Sequence, residues 1–235
     1  MTKKFLISLI IPCYNEEKNL PILCKYIKDL INSCSDNIQV IFINDASNDS
    51  TLTILNSFMM SSENIVVINN TINIGCHLSV KKGFDCATGE WFIFLPSDLQ
   101  ILPSIILDIV PLMDSSDFVA TWRRDRQDLL HRRIISRFYN YFIRLITNIQ
   151  INDFDSSIAI RSSIYHNISH KLTATTASLA VEIAAHSVRD GARIVEVPIA
   201  HYPRTAGTAR GLNWRDSLAA PIHLLRLWMM IQNTR

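Results

Sequence analysis

Phe5-Leu6-Ile7-Ser8-Leu9-Ile10-Ile11 runs without a break into Pro12-Cys13-Tyr14-Asn15-Glu16. A short apolar run that ends in polar loop residues is the pattern of a buried parallel strand opening at a sheet edge. The pattern recurs: residues 38–43 lead into Asn44-Asp45-Ala46-Ser47-Asn48-Asp49, and residues 91–95 into Pro96-Ser97-Asp98-Leu99-Gln100. Residues 64–69 form another such run. Open α/β sheets bind ligands beyond the carboxyl ends of their strands, which is where these acidic loops fall.

Helical patterns lie between the runs. Leu20, Leu23, Ile27, Leu30 and Ile31 form an amphipathic stripe. Residues 49–59 and 77–87 can each hold about three turns, and residues 103–113 form a further helix with Pro103 in its first turn. Strand alternating with helix predicts an α/β fold, a mostly parallel sheet flanked by helices. In the second half, 128–147 reads as a long helix with arginines on one side, 156–161 and 193–198 as strands, and 176–189 as a helix. No repeat, low-complexity tract or Pro/Gly linker interrupts the chain, so a boundary near 100–115 is a change of role inside one body.

With 235 residues, 48% apolar and 19% charged, the chain can bury a full core and is not a disordered segment. Five cysteines without C-x-x-C spacing argue against a disulfide framework or a zinc site and for a reducing compartment. The basic start, Lys3-Lys4, resembles a signal peptide, but its apolar run is short and no small-residue cleavage site follows, so a first strand is expected. No run reaches the roughly 18 apolar residues of a spanning helix, and the protein is expected to be soluble or bound at a membrane surface. The segment from Trp214 to Met230 places Trp214, Leu218, Pro221, Ile222, Leu225 and Met229 near one face. It reads either as a helix packed on the core or as one lying in a bilayer interface, with Trp228, Arg215 and Arg226 at its polar edge.

Several residues admit a chemical and a structural role. Asp45 ends a strand and can accept from a base or ribose; Asp49 and Asn48 suit Asx-turn and cap work. Asp98 and Gln100 offer hard oxygens to Mg2+ or Mn2+, while Asp98 could equally cap the helix before Pro103. Arg123, Arg124, Arg126, Arg132, Arg133 and Arg137 crowd one stretch that also holds Asp125 and Asp128. Such a run is either a self-paired solvated face or a site for phosphate or anionic headgroups. No nucleic-acid motif accompanies it, and a net charge of +2 is modest. His166 and His170 lack the Glu of H-E-x-x-H, and the six glycines form neither G-x-G-x-x-G nor a Walker A loop. No G-x-S-x-G elbow occurs. What remains, carboxylates at strand ends with arginines behind them, suits a nucleotide sugar held with a divalent cation.

In this order and spacing the segments resemble the family-2 inverting glycosyltransferases of GT-A fold, and more closely their dolichyl- or polyprenyl-phosphate sugar synthase branch. Ile10-Ile11-Pro12-Cys13-Tyr14-Asn15-Glu16-Glu17 resembles the opening I-P-x-Y-N-E-E, and Asn44-Asp45-Ala46-Ser47-Asn48-Asp49-Ser50-Thr51 the loop D-D-G-S-x-D-x-T. Asn73-Ile74-Gly75, Lys82-Gly83-Phe84 and Ala87-Thr88-Gly89 are similar to N-x-G…G-x-x-x-A-x-G; Pro96-Ser97-Asp98-Leu99-Gln100 stands at D-A-D-L-Q. Thr121-Trp122-Arg123, Arg133 to Asn140, Asp153 to Ser157, Glu182, Glu196 to Ile199 and Arg204 to Arg210 resemble the branch's later motifs. Pro96 for the first Asp of D-x-D removes one expected metal ligand; Asn44 and Arg210 replace Asp and Lys.

The resemblance implies one GT-A domain over 1–235. About 1–112 would be its nucleotide-sugar half, about 113–212 its acceptor half, and 213–235 a C-terminal amphipathic helix. Pro12, Tyr14, Glu16, Asp45, Asn73, Gly75, Ser97 and Asp98 would hold the nucleotide sugar, linked through GDP or UDP, and Asp98 and Gln100 the cation. Arg123, Arg133, Arg204 and Arg210 would gather the donor and acceptor phosphates. Asp98, Asp153, Glu182 and Arg204 would form the catalytic set, with Asp153 and Glu182 shaping the sugar pocket.

The implied reaction moves a sugar with inversion to a polyprenyl or dolichyl phosphate at the cytoplasmic face of a membrane. Contact with that anionic surface would come from the Arg cluster and the C-terminal helix, or from an anchoring partner or homo-oligomer. Nucleic acid is not an expected partner. Two other readings remain open: a glycosyltransferase acting on a sugar hydroxyl of a polysaccharide or glycolipid, with Asp153 or Glu182 as base, and a non-catalytic nucleotide-sugar-binding subunit, for which Pro96 speaks.

Overall fold

The computed structural model describes residues 6–33, 37–128, 130–206 and 228–229, the side chains of 131 and 132 excepted. Strands β1 (Ile7–Cys13) and β2 (Ile38–Asn44) are buried at every position, as apolar runs covered on both faces must be. β3 (Ile65–Asn69) and β4 (Trp91–Phe94) complete the first half, joined by helices α1 (Leu20–Ser33), α2 (Thr51–Met59) and α3 (Cys76–Cys86). After α4 (Ile105–Ile109) come β5 (Phe118–Arg124), α5 (Leu130–Thr147), β6 (Ile158–Arg161), α6 (Ser162–Ser169), α7 (Ser178–Arg189) and β7 (Ile194–Ala200).

One seven-stranded sheet runs in the order β3-β2-β1-β4-β6-β5-β7. All adjacent pairs are parallel except β4–β6 and β5–β6, so β6 alone is reversed and stitches the two halves together. Alternate residues of β1 serve opposite faces. Ile7, Leu9, Ile11 and Cys13 pack with α1, α2 and α4, whereas Ile10 packs with α3, α6 and α7. Gly83 makes the second contact close: a Cβ there would lie 2.4 Å from Ile10 Cγ2 and 2.9 Å from Ile43 Cδ1.

Most expected elements are present. The helix expected over 103–113 is instead a five-residue helix followed by a 3-10 turn at Val110–Leu112. Pro111 explains the change, because it has no N–H to continue the α-helical ladder. β5 and α6 were not expected as elements. Pro198 is accommodated because β7 forms an edge of the sheet. The four described cysteines, Cys13, Cys24, Cys76 and Cys86, are free thiols. The helix expected over 213–235 lies outside the described residues except at Trp228 and Met229, which are helical and exposed; Arg210 also lies outside them.

Candidate active site

The loops after β1 and β2 are laced together. The Asn15 N–H donates to Ser47 Oγ (3.0 Å), Glu16 N–H to Thr51 Oγ1 (2.8 Å), and Asn48 N–H to Asn15 Oδ1 (2.9 Å). Asn15 and Ala46 hold left-handed φ values of 54° and 56°, a conformation that costs a non-glycine residue about 1 kcal/mol or more. Asp49 does cap work: Oδ1 accepts from Thr51 N–H and Oδ2 from Glu17 N–H.

Asp45 is a hub. Its carboxylate accepts from Asn70 Nδ2 (2.9 Å), Ile74 N–H (2.9 Å) and Gly75 N–H (2.8 Å), and Asn73 Nδ2 donates to its backbone carbonyl (3.0 Å). The side chain expected to meet the nucleoside thus holds the 73–75 turn, where Gly75 has φ 88° at the start of α3.

Behind this wall the β4 loop sets three side chains. Ser97 Oγ donates to the Pro12 carbonyl (2.8 Å). Asp98 Oδ1 accepts from Gln100 N–H (3.1 Å), and Asp98 Oδ2 accepts from Arg204 Nη2 (2.6 Å). Arg204 Nη2 also lies 3.3 Å from Gln100 Oε1, and Tyr202 N–H donates to the Gln100 carbonyl (2.9 Å). These contacts draw the 201–205 segment across the end of β4.

The far wall comes from β5. Arg123 grips Asp153 with a two-pronged fork, Nε to Oδ2 at 2.7 Å and Nη2 to Oδ1 at 2.9 Å. Burial alone would raise the Asp153 carboxyl, but the bonds and charge of Arg123, helped by Arg126, hold it below the usual carboxylate range. Glu196 on β7 fixes the preceding residue, accepting from Asn152 N–H (2.6 Å) and Nδ2 (2.8 Å). Arg126 pairs with Asp128 at 2.7 Å and donates to Ser136 Oγ at 2.6 Å. His201 Nδ1 accepts from Gln127 N–H (3.1 Å), and burial, then Arg123, lowers its pKa, so the ring is neutral at pH 7.

Together these walls enclose a cleft of about 520 Å³ lined by Pro12, Tyr14, Glu16, Asp45, Asn73, Gly75, Ser97, Asp98, Gln100, Arg123 and Arg204, among others. A second pocket of about 850 Å³ adjoins it and carries Arg133, Arg137, Arg144, Asn140 and Asp153. Arg123 and Arg126 line both.

Residues 8–169 match the profile of glycosyl transferase family 2. The chain belongs to that family. An undecaprenyl-phosphate 4-deoxy-4-formamido-L-arabinose transferase of Aeromonas hydrophila is 31% identical over 87% of this chain. A namesake from Pectobacterium atrosepticum is 29% identical over the same share. The chain spans about 62% of the length of these relatives. Among solved structures, Mycobacterium tuberculosis glucosyl-3-phosphoglycerate synthase with Mg2+ and UDP superposes with a TM-score of 0.69 at 15% identity, over 95% of this chain and 79% of that one. A mannosyltransferase from Pyrobaculum calidifontis, solved with GDP-Man and Mn2+, gives 0.65 at 17% identity, over 94% and 65%. These likenesses bear out the expected GT-A fold.

On this family-2 scaffold the expected donor-side residues line one cleft. Arg133 lies in the adjoining pocket, as does Asp153, whose side chain is committed to Arg123. Glu182, expected beside the reacting sugar, needs correction. It lies on α7 and lines neither pocket; its oxygens accept from Thr173 N–H (2.9 Å), Thr173 Oγ1 (2.9 Å) and Ala174 N–H (2.8 Å). The motifs in the sequence did not single out Asp155, with a side chain 51% exposed in the cleft, or His201, just beyond the apolar β7 run.

The donor set fits a divalent cation only with help from substrate. Among the described residues no three His, Cys, Asp or Glu side chains converge on one metal position. Asp98 and Gln100 supply hard oxygens, and Mg2+ is commonly held by one or two carboxylates plus substrate phosphates. Charge argues the same way. Glu16, Asp45, Asp98, Asp128 and Asp155 face Arg123, Arg126 and Arg204, five formal negatives against three positives, a balance of −2. A diphosphate entering such a cleft needs added positive charge.

Proposed function

We propose that the chain transfers a sugar, with inversion, from a nucleoside diphosphate sugar to a polyprenyl phosphate at the cytoplasmic face of a membrane. The observation that carries this reading is the sharing of Arg123 and Arg126 between an acidic cleft and an arginine-rich pocket. The cleft, built mainly from residues before 112, takes the donor; the pocket, built from later residues, takes the acceptor phosphate. Undecaprenyl phosphate, named in the relatives, is the model acceptor.

Pro12, Tyr14, Glu16 and the Asp45-held turn bind the nucleoside. Asp98 and Gln100 would hold Mg2+ or Mn2+, which would neutralise diphosphate charge, and Arg204 would then be released from Asp98 to a phosphate oxygen. An acceptor phosphate oxygen then attacks the anomeric carbon in line as the bond from that carbon to the diphosphate oxygen breaks and the nucleoside diphosphate departs. The acceptor is already anionic, so no strong base is required; positioning and charge stabilisation carry the rate. The state of the carboxylates supports this choice, since Asp153 has its pKa lowered and both oxygens bonded to Arg123, which makes it a poor base, and Glu182 lies outside the cleft.

Asp155 keeps the hydroxyl-acceptor reading in contention, because a half-exposed carboxylate in the cleft can serve as a base. Incubation with a panel of UDP- and GDP-sugars separates the two. Nucleotide release stimulated by undecaprenyl phosphate and not by oligosaccharides supports the lipid reading, and the reverse overturns it.

A further inference from the structure

Asn19 stands immediately before α1, where an Asn side chain ordinarily accepts from N–H groups of the first helical turn. Here that task is absent. Pro21 has no N–H, and the Ile22 and Leu23 N–H groups donate to the Asn19 carbonyl (3.2 and 3.0 Å). The amide, in a residue only 2% exposed, serves two other partners. Its Nδ2 donates to Glu16 Oε2 (2.6 Å), and its Oδ1 accepts from Thr205 Oγ1 (3.0 Å), 186 positions along the chain. A carboxylate only accepts, so Glu16 decides which end of the amide faces it and leaves the oxygen for the Thr205 hydroxyl.

Both ends of this bridge reach the donor cleft, which Glu16 and Arg204 line. The 201–205 segment is tied on either side of Arg204. Before it, Tyr202 N–H donates to the Gln100 carbonyl (2.9 Å); after it, the Thr205 hydroxyl donates to Asn19. Among the described residues, Pro203, Arg204 and Thr205 make no backbone-to-backbone hydrogen bond. The Thr205 side chain is therefore what fixes the strap beyond Arg204. That matters because a guanidinium that swings from Asp98 to a phosphate oxygen arrives correctly only if its backbone stays in place, and small misplacements cost binding and rate.

We infer that Asn19 is a positioning residue for donor binding, its buried amide holding Glu16 on one side and, through Thr205, the backbone that carries Arg204 on the other. The inference rests on the nucleotide-sugar reading for its purpose, while the latch itself stands apart from that reading.

Two measurements on the full chain test it: calorimetric binding of UDP and GDP in Mn2+, and the rate of tryptic cleavage after Arg204. Thr205→Val keeps the shape of the side chain and removes the hydroxyl from an exposed position that lines neither pocket. It should weaken nucleoside diphosphate binding about three- to tenfold, the worth of one hydrogen bond. Cleavage after Arg204 should quicken by a similar factor as the strap opens more often, and Thr205→Ser should restore both. In an Arg204→Ala background, Thr205→Val should weaken binding no further, because the latch acts through that arginine. A Thr205→Val chain that binds and is cut like the parent, an equal loss in both backgrounds, or a Thr205→Ser chain that restores neither property would each overturn the inference. A parent that binds neither UDP nor GDP would remove the donor reading, and trypsin alone would then decide the latch: faster cleavage of Thr205→Val upholds it and an equal rate removes it.

Discussion

Arg204 Nη2 lies 2.6 Å from Asp98 Oδ2, joining residues 106 positions apart across the mouth of the donor cleft. The pair sets a guanidinium against the carboxylate assigned to the cation. On the proposed reading, donor binding would exchange partners, Asp98 passing to the cation and Arg204 to a phosphate oxygen. Both side chains are partly exposed, at 24% and 15%, so the exchange opens no core.

Asp98→Ala should remove the cation dependence of donor binding while leaving the fold intact. Titration calorimetry with a UDP- or GDP-sugar in Mn2+ is expected to show at least about tenfold weaker binding, a loss of about 1.4 kcal/mol. Unchanged affinity in a well-folded variant would take Asp98 out of the cation site.

Pro96→Asp restores a second anionic ligand to the β4 loop. Mn2+ affinity in the presence of nucleotide should rise, since adding a carboxylate to an oxygen site strengthens hard-cation binding. Weaker or equal affinity would mean that the loop works through Asp98, Gln100 and the diphosphate alone.

Asp155→Asn distinguishes the acceptor classes. With a phosphate acceptor no base is needed, and turnover should fall less than about tenfold; loss of a general base costs about 100-fold or more. Steady-state rates with saturating lipid phosphate decide the matter.

The Arg123–Asp153 fork is a buried ion pair, and Arg123→Met leaves Asp153 without its main partner. Such a deletion costs about 3–5 kcal/mol, measurable by urea unfolding. The sign with pH follows from the lowered Asp153 pKa. The parental pair stabilises fully above the unfolded carboxylate value of about 3.9, and that stability is lost as pH falls through the lower folded value. In Arg123→Met the buried carboxyl loses the interaction that lowered its pKa, so it no longer contributes an acid-side loss of stability, and the gap in unfolding free energy between parent and variant should narrow as pH falls below about 4.

How much of this was legible in the sequence depended on how local the cause was. β1 and β2 could be read because unbroken apolar runs have one economical fate, burial on both faces. β5 could not, because Phe118–Arg124 is apolar only in its first half and then turns charged as it enters the cleft. The helix expected over 103–113 ends early because Pro111 cannot continue the α-helical ladder. At the site, the loop carboxylates were legible as a class while their individual tasks were not. Asp45 became a scaffold because Ile74 and Gly75 present N–H groups from 29 and 30 residues away. Glu182 fell outside the cleft because the 173–174 backbone claims it.

The central claim is that a sugar passes to a lipid phosphate, and mild-acid lability of the product tests it most directly. With a radiolabelled nucleotide sugar, Mn2+ and undecaprenyl phosphate, label should move into organic solvent and return to water after mild acid, because a glycosyl phosphate bond is acid-labile. Label that stays in water, or moves only onto an added oligosaccharide in an acid-stable form, would contradict the account.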